Sequence, residues 1–142
     1  MKDLFEVGIV FRGFILAKYT FREFQNNPEE KTDQDLRGAF ISAINSFADK
    51  AFINSSLEYL EMDNYLCIFK IRSIKPKMSN DNEPLIIYGL TESQRRPDKY
   101  VEKFFEKVNP IIEQFTTTYE GADFTELNQF QPFEQELKEY FI

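Results

Sequence analysis

The stretch Leu4 to Phe24, LFEVGIVFRGFILAKYTFREF, constrains the fold more than any other. Its alternation and its β-branched and aromatic content read as two strands, and Arg12-Gly13 is the point at which they fold back. A two-residue turn needs positive φ, which Gly13 supplies at no steric cost, with Phe11 and Phe14 flanking it. With that pairing, Val7, Ile9, Phe11, Phe14 and Leu16 are expected on one face. Leu4, Val10, Ile15, Ala17, Tyr19 and Phe21 are expected on the other. Both faces are apolar, so each must be covered.

The 142 residues suit a single domain spanning 1–142. A hydrophobic fraction of 42% with 16 phenylalanines can build a core, while 29% charged residues point to a soluble chain. No segment reaches the roughly 20 apolar residues of a membrane span, and Met1-Lys2-Asp3-Leu4-Phe5 is neither signal nor transit peptide; the cytoplasm is the expected compartment. A net charge of -7 argues against a nucleic-acid surface. With no histidine and one cysteine, the commonest general base and transition-metal ligand are missing. Cys67 falls in an apolar strand pattern and reads as a buried small hydrophobe. No cofactor is expected. Gly8, Gly13, Gly38, Gly89 and Gly121 are scattered and form no phosphate-binding loop, so the chain is not itself a GTPase.

Beyond the hairpin, Gln25 to Lys31 is a polar loop containing Pro28. Thr32 with Asp35 three residues on resembles a capping box, and Leu36, Phe40, Ala43, Ile44, Phe47 and Ala51 form one helical stripe. That helix is expected to cover one face of the hairpin. Leu57–Met62 and Tyr65–Ile71 read as a second hairpin turned at Asp63-Asn64. Pro84–Leu90 is an unbroken apolar run, the pattern of a central strand. Pro97 and Asp98 open a helix whose apolar face runs from Tyr100 to Tyr119, with a kink or break expected at Pro110. Phe124 to Ile142 carries one or two short helices interrupted by Pro132. The order β-β-α-β-β-β-α-α predicts an α+β fold: an α-β-α sandwich on a five-stranded antiparallel sheet.

The segments DQDLRGAFISAINSFADKAF (Asp33 to Phe52) and SLEYLEMDNYLCIFKI (Ser56 to Ile71), in this element order, resemble the longin domains of the longin and roadblock superfamily. The helix D-L-x-G-A-F-x-S-A-I-x-S-F followed by a hairpin with an acidic turn is similar to archaeal proteins of that group associated with small GTPases. An opening strand, where roadblock proteins open with a helix, favours the longin side. The resemblance implies sheet order 2-1-5-4-3 and a non-catalytic protein-interaction module. Such a module binds or regulates a small Ras-like GTPase, or vesicle-trafficking machinery, as a homodimer or heterodimer. Carried onto this chain, the interface is expected at Ile41, Asn45, Ala48 and Phe52 on the first helix and Leu57, Tyr59 and Glu61 on the neighbouring edge strand.

Other chemistry is compatible with some of the same residues. Arg95 and Arg96 could act as an arginine finger on a partner GTPase, against a plain solvated loop. Asp33, Asp35, Glu58, Glu61 and Asp63 could pair as catalytic or metal-binding carboxylates, against a helix start, a strand edge and a turn. Lys70, Arg72, Lys75 and Lys77 form a basic stretch that could touch an anionic membrane peripherally or meet an acidic partner. The alternative function is a small-molecule sensor domain of profilin-like or PAS-like shape, which would need a pocket between helix and sheet. A third reading is an enzyme using carboxylates and arginine alone.

Overall fold

The computed structural model describes residues 3–22, 59–62 and 64–142. These hold a mixed α+β fold: five antiparallel strands, two α-helices and a 3-10 turn. The strands are β1 (Leu4–Phe11), β2 (Phe14–Thr20), β3 (Tyr59–Met62), β4 (Tyr65–Ile74) and β5 (Glu83–Glu92). Their order across the sheet is β2-β1-β5-β4-β3. Helix α1 (Pro97–Tyr119) and helix α2 (Pro132–Phe141) follow, with a 3-10 turn at Leu127–Phe130 between them. The predicted helix beginning at Thr32 lies outside the described residues.

The hairpin turns where expected. Arg12 and Gly13 both have positive φ, 50° and 82°, the combination of a two-residue turn whose twist matches that of the strands. Phe11 pairs with Phe14. The guanidinium of Arg12 then clasps Glu83 with both ends, Nε to Oε1 at 2.8 Å and Nη2 to Oε2 at 2.5 Å. That clamp ties the turn to the start of β5 and holds the Glu83 carboxyl below its ordinary pKa.

The face assignment of the hairpin is different from the expected one. Leu4, Val7, Ile9, Phe11, Leu16 and Ala17 all belong to one core, with Tyr19 and Phe21 packed against it, while Phe5, Val10 and Ile15 belong to the other. Two irregularities cause the change. The β1–β2 register steps from Val10↔Ile15 to Ile9↔Ala17, so Leu16 is an extra residue. The β1–β5 register steps between Leu4 and Glu6, so Phe5 is another. Each extra residue inverts the side-chain alternation beyond it, which carries Leu4, Ala17, Tyr19 and Phe21 across the sheet.

The first core lies between the sheet and the helices. Val101, Phe104, Val108, Ile111, Ile112 and Phe115 of α1, and Phe133, Leu137 and Phe141 of α2, pack on Val7, Ile9, Leu66, Ile68, Leu85 and Ile87. α1 lies over β4 and α2 over β2. The break expected at Pro110 does not occur: α1 is one helix of 23 residues. Pro110 is exposed, so the carbonyl it leaves without a helical donor can be hydrated instead. Pro132 divides the C-terminal stretch as expected: it follows the 3-10 turn at Leu127–Phe130 and starts α2.

The second core, on the opposite face, joins Phe5, Val10, Cys67, Phe69, Ile86, Tyr88 and Leu90, all buried. No described helix packs on this face. Cys67 is fully buried among these side chains, and burial pushes its thiol far above the ordinary thiol pKa. It is an unreactive packing residue.

Two glycines set the close approaches at the centre. A Cβ on Gly89 would come within 2.5 Å of the Phe104 ring of α1, and one on Gly8 within 2.6 Å of the Tyr88 ring. The space at Gly8 is therefore taken by a tyrosine of the sheet rather than by a helix. Phe104 is wholly buried, so it has nowhere to retreat. Gly89→Ala should cost about 1–3 kcal/mol by overpacking. Phe104→Leu in the same chain should recover part of that loss. Urea unfolding of the two single variants and the double variant checks this, and strictly additive losses would refute the contact.

Candidate interaction surfaces

The central strands bring one polar group into the core. Glu6 is 3% exposed, and its carboxylate accepts from the Tyr88 hydroxyl (2.6 Å) and the Thr20 hydroxyl (2.9 Å), with Lys18 Nζ at 3.8 Å. Glu6 is two residues from Gly8, which pairs with Tyr88, so regular alternation along β1 puts it on the same face as Tyr88. A buried carboxylate is tolerable only when hydrogen-bonded and counter-charged, and this one is both. Alternation places Glu6 on the Gly8 and Val10 face, but nothing in the sequence marks it as buried, because its partners Tyr88 and Thr20 come from other strands. Its role is structural: it pins β1, β2 and β5 together. Tyr88→Phe should destabilise the protein by roughly 1.5–3 kcal/mol, since it removes a bond to a buried carboxylate. A variant as stable in urea as the parent would contradict this.

The outer strand β3 has β4 as its partner, from Tyr59↔Ile68 to Met62↔Tyr65. Tyr59 is half-buried against the helix-side core, and its hydroxyl donates to Asp98 Oδ1 at 2.8 Å, tying β3 to the first turn of α1. Glu61 is exposed. Of the predicted interface, Ile41, Asn45, Ala48, Phe52 and Leu57 lie outside the described residues. So do Asp33, Asp35, Glu58 and Asp63 of the carboxylate set. Among the described residues no group of acidic, cysteine and histidine side chains could hold a metal ion.

The basic stretch at 70–77 is divided by the strand pleat. Lys70 Nζ sits over the Phe105 ring at 4.7 Å, and Arg72 donates to Asn109 Oδ1 at 3.1 Å with Glu113 at 3.8 Å. Both lie along α1, covering its flank with their stems. Lys75 and Lys77 belong to the β4–β5 loop, whose backbone is bonded to Glu120, Gly121 and Ala122 at the end of α1.

Arg95 and Arg96 lie in the short loop from β5 to α1. That loop is held at several points: Ser93 N–H donates to the Asn64 carbonyl at 2.9 Å, Gln94 Nε2 to the Glu92 carbonyl at 3.1 Å, and the Thr91 hydroxyl to the Asp3 carbonyl at 2.7 Å. Arg96 is the N-cap of α1 and Pro97 its first residue. Here the surface is concave: a groove of about 850 Å³ is lined by Gln94, Arg95, Arg96, Lys99, Tyr100 and Lys103. Lys99 and Lys103, four residues apart, share one stripe of the helix start, and Arg96 is the N-cap just before it. The Tyr100 hydroxyl is buried near Thr91, and burial raises its pKa above the ordinary phenol value. The sequence marked the arginine pair but not the lysines, whose contribution shows once Pro97 fixes where helical spacing begins.

No helix among the described residues is long and apolar enough to cross a membrane. No family model, curated protein or solved structure matches the chain.

Proposed function

We propose that the chain is a non-catalytic protein-interaction module of longin-like type, which binds or regulates a small Ras-like GTPase or a trafficking-type complex as a homodimer or heterodimer. The observation that carries this reading is the strand order β2-β1-β5-β4-β3, which is the order the resemblance implies and which puts β3 at the outer limit of the sheet. Strand β3 is short, carries the exposed Glu61, and is braced by the Tyr59–Asp98 bond. A braced terminal strand suits pairing with a partner strand, in which main-chain bonds give affinity and side chains give selectivity. The interior supports the same reading: Phe104 fills the space between α1 and the sheet that a sensor domain would leave for a ligand, and the buried polar cluster at Glu6 is consumed by internal bonds. In this reading the fold is an α-β-α sandwich, and the second core is the face covered by the predicted 32–52 helix.

Glu61→Pro tests the idea directly, since proline removes a strand donor and is disfavoured in strand pairing. The expected result is recovery of a small GTPase on the parent protein from native cell extract, its loss on the variant, and retention of the folded circular dichroism spectrum. Recovery of no GTPase by the parent, or equal recovery by both proteins, would count against the proposal.

A further inference from the structure

The groove at the start of α1 joins four cations on a chain of net charge -7. Among the described residues none of Arg95, Arg96, Lys99 and Lys103 makes an ion pair, whereas Arg12, Lys18, Arg22 and Arg72 all do. The acidic groups nearest in sequence are turned to other tasks. Glu92 pairs with Arg22 at 3.7 Å, and Asp98 accepts the Tyr59 hydroxyl. Glu102 and Glu106, three residues on from Lys99 and Lys103, are exposed, and among the described residues neither forms an ion pair with those lysines. Four like charges held together without counter-ions repel one another, which an anion in the groove would relieve.

We propose that this groove binds a small, multiply phosphorylated molecule. Its dimensions favour that class. Arg96 to Lys103 spans roughly 10 Å along the helix, longer than one phosphate and matched to several in a row. The groove is open to solvent, with all four cations exposed around a space of about 850 Å³, wide enough to admit a compact anion. The two arginines offer planar forks that grip phosphate oxygens in pairs, and the lysines add point charge. A long nucleic acid or an anionic bilayer would also meet the acidic remainder of the surface and be repelled by it; a compact ligand meets the groove alone. This site is independent of the β3 edge, and it gives Arg95 and Arg96 a ligand held by this chain rather than a partner's transferring phosphate.

The probe is inorganic tripolyphosphate, titrated calorimetrically into the full chain, with orthophosphate as comparison. One saturable site is expected, tighter for tripolyphosphate than for orthophosphate and weakened by salt. Arg96→Gln with Lys103→Gln should lower the affinity at least about tenfold, because each removes a charge-assisted contact. Lys75→Gln with Lys77→Gln should leave it unchanged. All four side chains are exposed, so the folded spectrum should persist; if the double variant fails to fold, Lys99→Gln alone should still weaken binding. Phosphatidylcholine vesicles with and without phosphatidylserine form the second arm, and no co-sedimentation is expected. Absence of saturable tripolyphosphate binding, equal loss in the control pair, or vesicle binding that needs Arg96 without tripolyphosphate binding would each overturn the proposal.

Discussion

Everything in this structure depends on two aromatic rings seated on two glycines at the centre of the sheet. Gly8 pairs with Tyr88 and Val7 with Gly89, so the glycines sit diagonally on β1 and β5. Tyr88 occupies the space above Gly8 on one face, and Phe104 descends from α1 onto Gly89 on the other. The first contact lets the Tyr88 hydroxyl reach the buried Glu6, which in turn binds Thr20 of β2. The second fixes how closely α1 lies to the sheet, and therefore where its first turn meets β3 through Tyr59 and Asp98. Close packing leaves no slack at either point, so the position of the outer strand is set from the middle.

The elements were legible in the sequence where local chemistry decides them. Gly13 announced the turn, Pro97 the start of α1, and the apolar run at Leu85–Leu90 the central strand. The faces of the hairpin were not legible. When both sides of a strand are apolar, an extra residue such as Leu16 or Phe5 leaves no trace in the hydrophobic pattern, yet it moves every side chain beyond it. Of the kink or break expected at Pro110, the break is absent for a related reason: six buried side chains of α1 on both sides of it outweigh one missing bond facing water. The strands β4 and β5 also extend past their apolar stretches, since pairing from Ser73↔Pro84 to Ile74↔Glu83 holds polar ends that pattern alone assigns to loops.

The candidate sites divide in the same way. Arg95 and Arg96 stood out as an adjacent pair, but a groove is a property of three-dimensional placement: Lys99 and Lys103 join it through helix geometry, and the loop bonds at Thr91, Ser93 and Gln94 set where it opens. The basic stretch 70–77 loses its unity because alternate strand residues turn to α1 while the loop residues do not. The buried Glu6 cluster is closed by internal bonds, whereas the cationic groove at the start of α1 lies at the surface.

The proposal that β3 pairs with a partner is tested most directly by photo-crosslinking. A photoreactive residue placed at Glu61 on β3, and in a second protein at the exposed Phe14 beside the first hairpin turn, samples opposite edges of the sheet. The account predicts a covalent adduct with a small GTPase or a second copy of the chain from position 61 and none from position 14. Adducts from position 14 alone, or the same adducts from both, would contradict it.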